Sequence, residues 1–152
     1  MQGSVLLKGE TAIYSVGGES EEDYDYLMEA ARKAVEHGNT VYILPNPRNT
    51  RTADFIFEKK GAYKMYDLKT VHGKSSVGTQ LLDSVGQSNR ILLNMTSDYN
   101  VRLLASDIKM YFEANKDAVE VLLYKGKKAL SVNRYSAQSP MFHKQFRKKY
   151  EK

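Results

Sequence analysis

The amino-acid sequence predicts an α/β fold, a single domain with a mixed central β-sheet flanked by helices. Three observations lead to this prediction. Apolar residues recur at helical spacing in three segments, runs rich in β-branched and aromatic residues separate those segments, and glycine or proline marks the junctions. Helical segments that alternate with strands are typical of a sheet covered by helices. A chain of 152 residues is long enough for one hydrophobic core.

The predicted elements follow in chain order. Residues 1–18 form an N-terminal arm or edge strand, residues 19–135 the α/β domain, and residues 136–152 a basic C-terminal tail. The first helix begins near Ser20 and ends before Gly38, because apolar side chains recur every three or four residues between them. Two further helices are predicted at residues 77–87, with Leu81, Leu82 and Val85 inward, and at residues 99–115. Strands are predicted at residues 40–44, 53–58, 63–71, 90–95, 118–124 and 129–133.

Composition narrows the classes of function. The chain has no cysteine, which excludes disulfides and thiolate metal sites but leaves an oxygen-ligated Mg²⁺ or Mn²⁺ site open. The net charge of +5 and the pI near 9.2 favour a polyanionic partner. No apolar run approaches the ~20 residues of a membrane helix. We therefore expect a cytoplasmic chain without a membrane partner, unless it is a piece of a larger exported protein.

A predicted β-hairpin at residues 53–71 holds the main candidate site. If Lys60 and Gly61 form a two-residue turn, Asp54 lies opposite Asp67 on the neighbouring strand. Like charges directly opposite each other are destabilising, which suggests that a cation lies between them. Lys69 points to the same face as Asp67, because side chains alternate along a strand. A three-residue loop would instead put the two aspartates on opposite faces.

These three side chains suit metal-assisted hydrolysis of a phosphodiester. Asp54 and Asp67 would bind Mg²⁺ or Mn²⁺, and Lys69 would orient or deprotonate the attacking water or stabilise the phosphorane charge. A third carboxylate is expected from the first helix, from Glu22 or Glu29. The alternative is an exposed hairpin whose Asp67–Lys69 pair contributes little to stability.

Other polar residues around the hairpin are candidates for substrate contacts. Gln80, Ser84 and Gln87 follow the polar side of the second predicted helix, where they would hydrogen-bond phosphate or metal-bound water. The loops before and after the hairpin supply the residues predicted to bind nucleic acid: Arg48, Arg51, Lys74, Ser75 and Ser76.

The hairpin motif resembles a known nuclease signature. Ala53-Asp54, followed by Asp67-Leu68-Lys69 on the next strand, is similar to the PD-(D/E)xK pattern, with alanine in place of proline. The wider run resembles the CdiA-type C-terminal tRNA nuclease domains of contact-dependent growth inhibition toxins. This likeness extends over roughly residues 22–133, and its most similar parts are residues 30–44, 52–57, 66–70 and 85–94.

The resemblance implies a restriction-endonuclease-like core, a divalent metal, cleavage of RNA with tRNA favoured, and a cognate immunity protein as partner. By the same resemblance, the chain would be the C-terminal piece of a larger exported, phage or mobile-element protein. By position it puts Asp54, Asp67 and Lys69 in the active site. It also makes Gln87 and an acid of the first helix candidates for that site.

Two other classes of function stay open. A non-catalytic nucleic-acid-binding or packaging domain would use the basic residues 143–152, whose interleaved aromatics would stack on bases, and the lysine-rich turn at residues 125–128. A metal-independent ribonuclease would use His72 as its general base.

Overall fold

The structure, a computed structural model, divides into two compact units, Met1–Leu68 and Lys69–Lys152. It describes residues 3–16, 24–45, 53–73, 76–86 and 88–152. Within these ranges, each unit combines helix with parallel and antiparallel strand pairs, which confirms the predicted α/β class and the mixed pairing. No helix in the same ranges is long and apolar enough to cross a membrane.

The described part of the first unit is a sheet of five strands with one helix. Its elements are β1 (Ser4–Leu6), β2 (Ile13–Val16), α1 (Tyr24–Glu36), β3 (Thr40–Ile43), β4 (Phe55–Lys59) and the greater part of β5 (Ala62–Val71). These strands lie side by side in chain order. β2 and β3 are parallel and α1 connects them, whereas the other neighbouring pairs are antiparallel. The segment predicted as an arm or edge strand therefore contains two strands.

Small side chains let α1 approach its sheet closely. Ala30, Ala31 and Ala34 have no exposed surface, and Leu27 and Met28 are buried with them. This helix contacts β2 and β3. The buried positions follow the three-to-four-residue spacing from which the helix was predicted. Its predicted start at Ser20 lies outside the described residues.

The described part of the second unit joins three strands to four helices. Its elements are α2 (Val77–Asp83), β6 (Arg90–Met95), α3 (Val101–Ala114), β7 (Glu120–Lys125), β8 (Lys128–Asn133), α4 (Arg134–Gln138) and α5 (Phe142–Glu151). β6 and β7 are parallel across α3, and β8 returns antiparallel to β7. One hydrophobic core gathers side chains from the strands and from all four helices, among them Leu81, Leu93, Ile108, Ala137 and Phe146.

The segment predicted as a basic tail forms the end of α4 and the whole of α5. Phe142, Phe146 and Tyr150 recur every four residues and are buried in the core of the second unit. Their successive ring centroids lie 5.6 and 5.7 Å apart. Because these rings face the core, they do not offer the stacking surface for bases that the sequence suggested.

α2 is shorter than predicted. It ends at Asp83 rather than near residue 87, and Gly86 follows it with a φ of 88°. Leu81 is buried as expected, but Leu82 and Val85 are 58% and 39% exposed. Ser84 was assigned to the polar side, yet it is fully buried, and its hydroxyl donates to the Leu81 carbonyl at 2.6 Å. The buried hydroxyl thus caps a carbonyl in the last turn of α2.

Candidate functional site

The turn of the hairpin has the two-residue geometry on which the candidate site depends. Lys60 and Gly61 have φ values of 52° and 81°, and positive values at both central residues define a type I′ turn. Lys59 is the register partner of Ala62, and the pairing continues to Phe55 opposite Tyr66. The predicted register is confirmed up to that pair.

Asp54 lies one residue beyond the last pair, in a local bulge. Its N–H donates to the Tyr66 carbonyl at 2.9 Å, although Tyr66 is already the register partner of Phe55. Two residues of one strand therefore oppose one residue of the other, and a bulge of this kind redirects a side chain. The Asp54 carboxylate turns to β5, where Oδ2 accepts the Leu68 N–H at 2.7 Å.

Asp67 is next to Leu68 in β5, and its carboxylate is buried, with 4% of the residue exposed. The hydrogen bond to Leu68 therefore holds the Asp54 carboxylate against the backbone beside Asp67. Aspartate is seldom fully buried unless its charge is compensated or used. The Asp54 carboxylate thus contacts the backbone next to Asp67, and the convergence of the two carboxylates on one ion stays a prediction.

Lys69 is the next position of β5 on the face of Asp67, since the strand runs unbroken to Val71 and its side chains alternate. The residue is half-buried and belongs to the second unit. Beside it, the Thr70 carbonyl accepts a hydrogen bond from Nε2 of Gln80 at 3.3 Å. Gln80, predicted to face the site, thus contacts the backbone of the strand that carries Lys69.

Of the two acids proposed as a third metal ligand, Glu29 is the one that the structure describes. Glu29 lies on α1, where its Oε1 is 3.5 Å from the Lys33 ammonium. No group of three or more His, Asp or Glu in the described ranges is arranged to hold a metal ion. Glu22 lies outside those ranges. A pair of carboxylates such as Asp54 and Asp67 would fit Mg²⁺, which keeps several waters and often takes only one or two protein carboxylates.

The remaining predicted residues have varied outcomes. Ser76 is the N-cap of α2, where its Oγ accepts the Thr79 N–H at 3.3 Å, so the hydroxyl has a structural role. His72 is exposed just after β5. Five candidates for substrate contacts lie outside the described residues: Arg48, Arg51, Lys74, Ser75 and Gln87.

A group of cations in the second unit was only partly anticipated. Lys144, Arg147 and Lys148 belong to the segment that the sequence marked as basic, and Arg102 of α3 joins them along one cleft. No sequence pattern signals Arg102, because it is distant in the chain and meets the others only through the packing of α3 on α5.

Comparison of the chain with protein-family models, with curated proteins and with solved structures gives no significant match.

Proposed function

We propose that this chain is a metal-dependent endonuclease that hydrolyses phosphodiester bonds in RNA, with tRNA as the expected substrate. The proposal includes a PD-(D/E)xK-type site on a restriction-endonuclease-like core. It also includes a role as a toxin-type or mobile-element-associated domain, which a cognate immunity protein would neutralise. The observation that carries the proposal is the 2.7 Å hydrogen bond from the Leu68 N–H to Asp54 Oδ2.

That bond supports the proposal because it holds the Asp54 carboxylate against the backbone next to Asp67, whose own carboxylate is buried. If the two carboxylates converge there, they repel each other unless a cation or a proton lies between them. Such arrangements are concentrated at functional sites, where they bind metals or move protons. Elsewhere in a hairpin, aspartate is an unfavourable strand residue.

The roles follow from the chemistry of the side chains. Asp54 and Asp67 would hold Mg²⁺ or Mn²⁺, which when bound supplies a Lewis acid for the phosphoryl oxygen and a more acidic water. Lys69 would orient the attacking water or stabilise the charge that develops on the phosphate. Glu22 or Glu29 would supply any third carboxylate.

The test is cleavage of tRNA and of plasmid DNA, each with Mg²⁺ and with EDTA. We expect Mg²⁺-dependent cleavage of tRNA and its loss in EDTA. Asp67→Asn, which keeps the size of the side chain and removes its charge, should lower the rate at least about 100-fold while RNA binding is retained. Asp117→Asn removes an exposed carboxylate just after α3 and is the matched control, with activity unchanged.

Other outcomes would assign the chain to another class. Cleavage that persists in EDTA and is lost in His72→Ala would establish the metal-independent ribonuclease. Binding of RNA without cleavage by the wild-type chain under any metal condition would establish the non-catalytic binding domain. Glu22→Gln and Glu29→Gln are compared by the Mg²⁺ concentration that each variant needs for half-maximal cleavage. The acid that completes the metal site is the one whose substitution raises this concentration more.

A further inference from the structure

The second unit contains a basic cleft that is separate from the residues assigned to hydrolysis. It lies between the first turn of α3 and the exposed side of α5 and has a volume of about 420 Å³. Four side chains that line it are cationic, Arg102, Lys144, Arg147 and Lys148, and one is anionic, Glu151. A groove whose lining charges are mainly positive attracts a polyanion and raises its local concentration.

The packing of α5 explains why the cations stand together. The aromatic stripe of the helix is buried in the core, so residues on the opposite side must face solvent. On that side, Lys144 and Lys148 are four residues apart, which corresponds to about 6 Å along the helix axis. Arg147 is 3.1 Å from Glu151, and both side chains are largely exposed. The cations are therefore fixed in a row by the helix while their heads stay accessible.

The charge of the whole unit has the same sign as the cleft. Residues 69–152 contain 15 Lys and Arg against 7 Asp and Glu, whereas residues 1–68 contain 8 against 11. The net charge of +5 is thus the difference between a strongly basic unit and a mildly acidic one. The positive electrostatic potential that attracts a polyanion is therefore expected at the second unit.

We propose that this cleft binds the sugar–phosphate backbone of a nucleic acid without reading its bases. Phosphate contacts are made by Lys and Arg and carry no sequence information. The phenyl and phenol rings of α5 face the core, so among the lining side chains only the His143 imidazole could stack on a base, and stacking of this kind does not depend on base sequence. A membrane surface would need the same apolar face of the helix. A protein partner would need an apolar centre in its interface, whereas Val101 is the only aliphatic residue among the lining side chains of the described chain.

The test measures binding of a fluorescently labelled 20-nucleotide single-stranded RNA by the full chain in EDTA. EDTA separates binding from the proposed metal-dependent cleavage. We expect the double variant Lys144→Gln/Lys148→Gln to bind at least about tenfold more weakly at roughly 0.1 M salt. We also expect the slope of log K against log salt to become shallower by about 1.4, because each lost phosphate contact on a single strand contributes about 0.7. An RNA of the same composition in scrambled order should bind equally well.

Matched controls separate this cleft from general charge. Lys8→Gln/Lys116→Gln removes two exposed lysines that do not line the cleft, and should leave the affinity within about twofold and the slope unchanged. Glu151→Gln removes the carboxylate that pairs with Arg147, and should raise the affinity. Glu113→Gln, at an exposed position of α3 outside the cleft, should not. All the substituted side chains are exposed, so the substitutions should leave the folded structure intact. Unchanged midpoints of thermal unfolding would verify this for each variant.

Three results would overturn the proposal. The first is an unchanged salt slope in the Lys144→Gln/Lys148→Gln variant. The second is an equal loss of affinity in the Lys8→Gln/Lys116→Gln control. The third is displacement of the RNA by poly-glutamate at lower concentration than by unlabelled RNA, which would assign the cleft to an acidic protein. Failure of the nuclease proposal is seen separately, since a chain that never cleaves but loses binding in the cleft variant still supports this site.

Discussion

Asp107 shows how a single residue in the second unit ties stability to pH. It lies on α3, where its Oδ2 accepts a bond from the Tyr99 hydroxyl at 3.4 Å, and a Cβ added at Gly78 would lie 3.1 Å from its Oδ1. Burial raises the pKa of the Asp107 carboxyl above its ordinary value of 3.8, and hydrogen bonds from Tyr99 and the Gly78 backbone only partly oppose that rise. Asp107 is followed by Ile108-Lys109, as Asp67 is followed by Leu68-Lys69, but its surroundings make it a structural residue.

We predict that Asp107→Asn flattens the pH dependence of stability. Because the pKa of Asp107 is higher in the folded than in the unfolded chain, there is a pH window between the two pKa values, beginning near 3.8. Within that window the folded state binds more protons than the unfolded state. This group therefore lowers the free energy of unfolding as pH rises through that window, and its contribution is most favourable below it. Urea unfolding at about pH 4 and about pH 7 should show the variant gaining stability relative to the wild type at the higher pH.

Tyr99→Phe provides the opposite control for this prediction. It removes a hydrogen bond that lowers the pKa of Asp107, so the loss of stability with rising pH should become steeper than in the wild type. Equal pH profiles for all three proteins would contradict the assignment.

At the scale of the element, the β4–β5 hairpin depends on one glycine. Gly61 has a φ of 81°, and no atom lies within 4 Å of the position that its Cβ would occupy. The preference for glycine here is thus a backbone effect and owes nothing to crowding. The Gly61 N–H also donates to Glu58 Oε1 at 3.0 Å, so a side-chain hydrogen bond stabilises the turn as well.

We predict that Gly61→Ala lowers the free energy of unfolding by about 1–2 kcal/mol, the cost of a left-handed conformation for a residue with a Cβ. Gly61→Asn should cost less, because asparagine tolerates this conformation. Urea unfolding with an unchanged m-value is the measurement. An alanine variant as stable as the wild type would show that the turn relaxes to another type.

The elements also show what could be predicted from the sequence. The two-residue turn was predictable, because a glycine between two strand-like runs fixes it, and the register as far as Phe55 and Tyr66 followed. The bulge at Asp54 was not, since it depends on bonds to both neighbouring strands. α5 was misjudged as a tail because its many cations masked an aromatic stripe of period four, and only packing against α3 reveals which face is buried.

At the scale of the whole molecule, charge is distributed unequally along the chain. The excess of Lys and Arg in residues 69–152 acts within one compact unit, so self-repulsion opposes its folding. At low salt such repulsion reaches across the unit, and at physiological salt it is screened within about 8 Å.

We predict that raising NaCl from about 10 mM to about 150 mM increases the midpoint of thermal unfolding by about 2–4 °C, equivalent to roughly 1 kcal/mol. The increase should be smaller in Lys144→Gln/Lys148→Gln, which carries less charge. A midpoint that falls with salt would mean that ion pairs such as Arg90–Glu120, at 2.6 Å, outweigh the repulsion.

The order of the strands has a consequence for how the chain folds. Within each unit, strands that are neighbours in space are successive in the chain, β1 to β5 in the first and β6 to β8 in the second. The hairpins β4–β5 and β7–β8 each close a two-residue turn, whereas the parallel pairs β2–β3 and β6–β7 each close a segment that contains a whole helix and lose more entropy. We expect the hairpins to pair first and the parallel pairs later, because non-local and parallel pairing is slow. The order in which the strands pair would then follow the length of chain that each pairing closes.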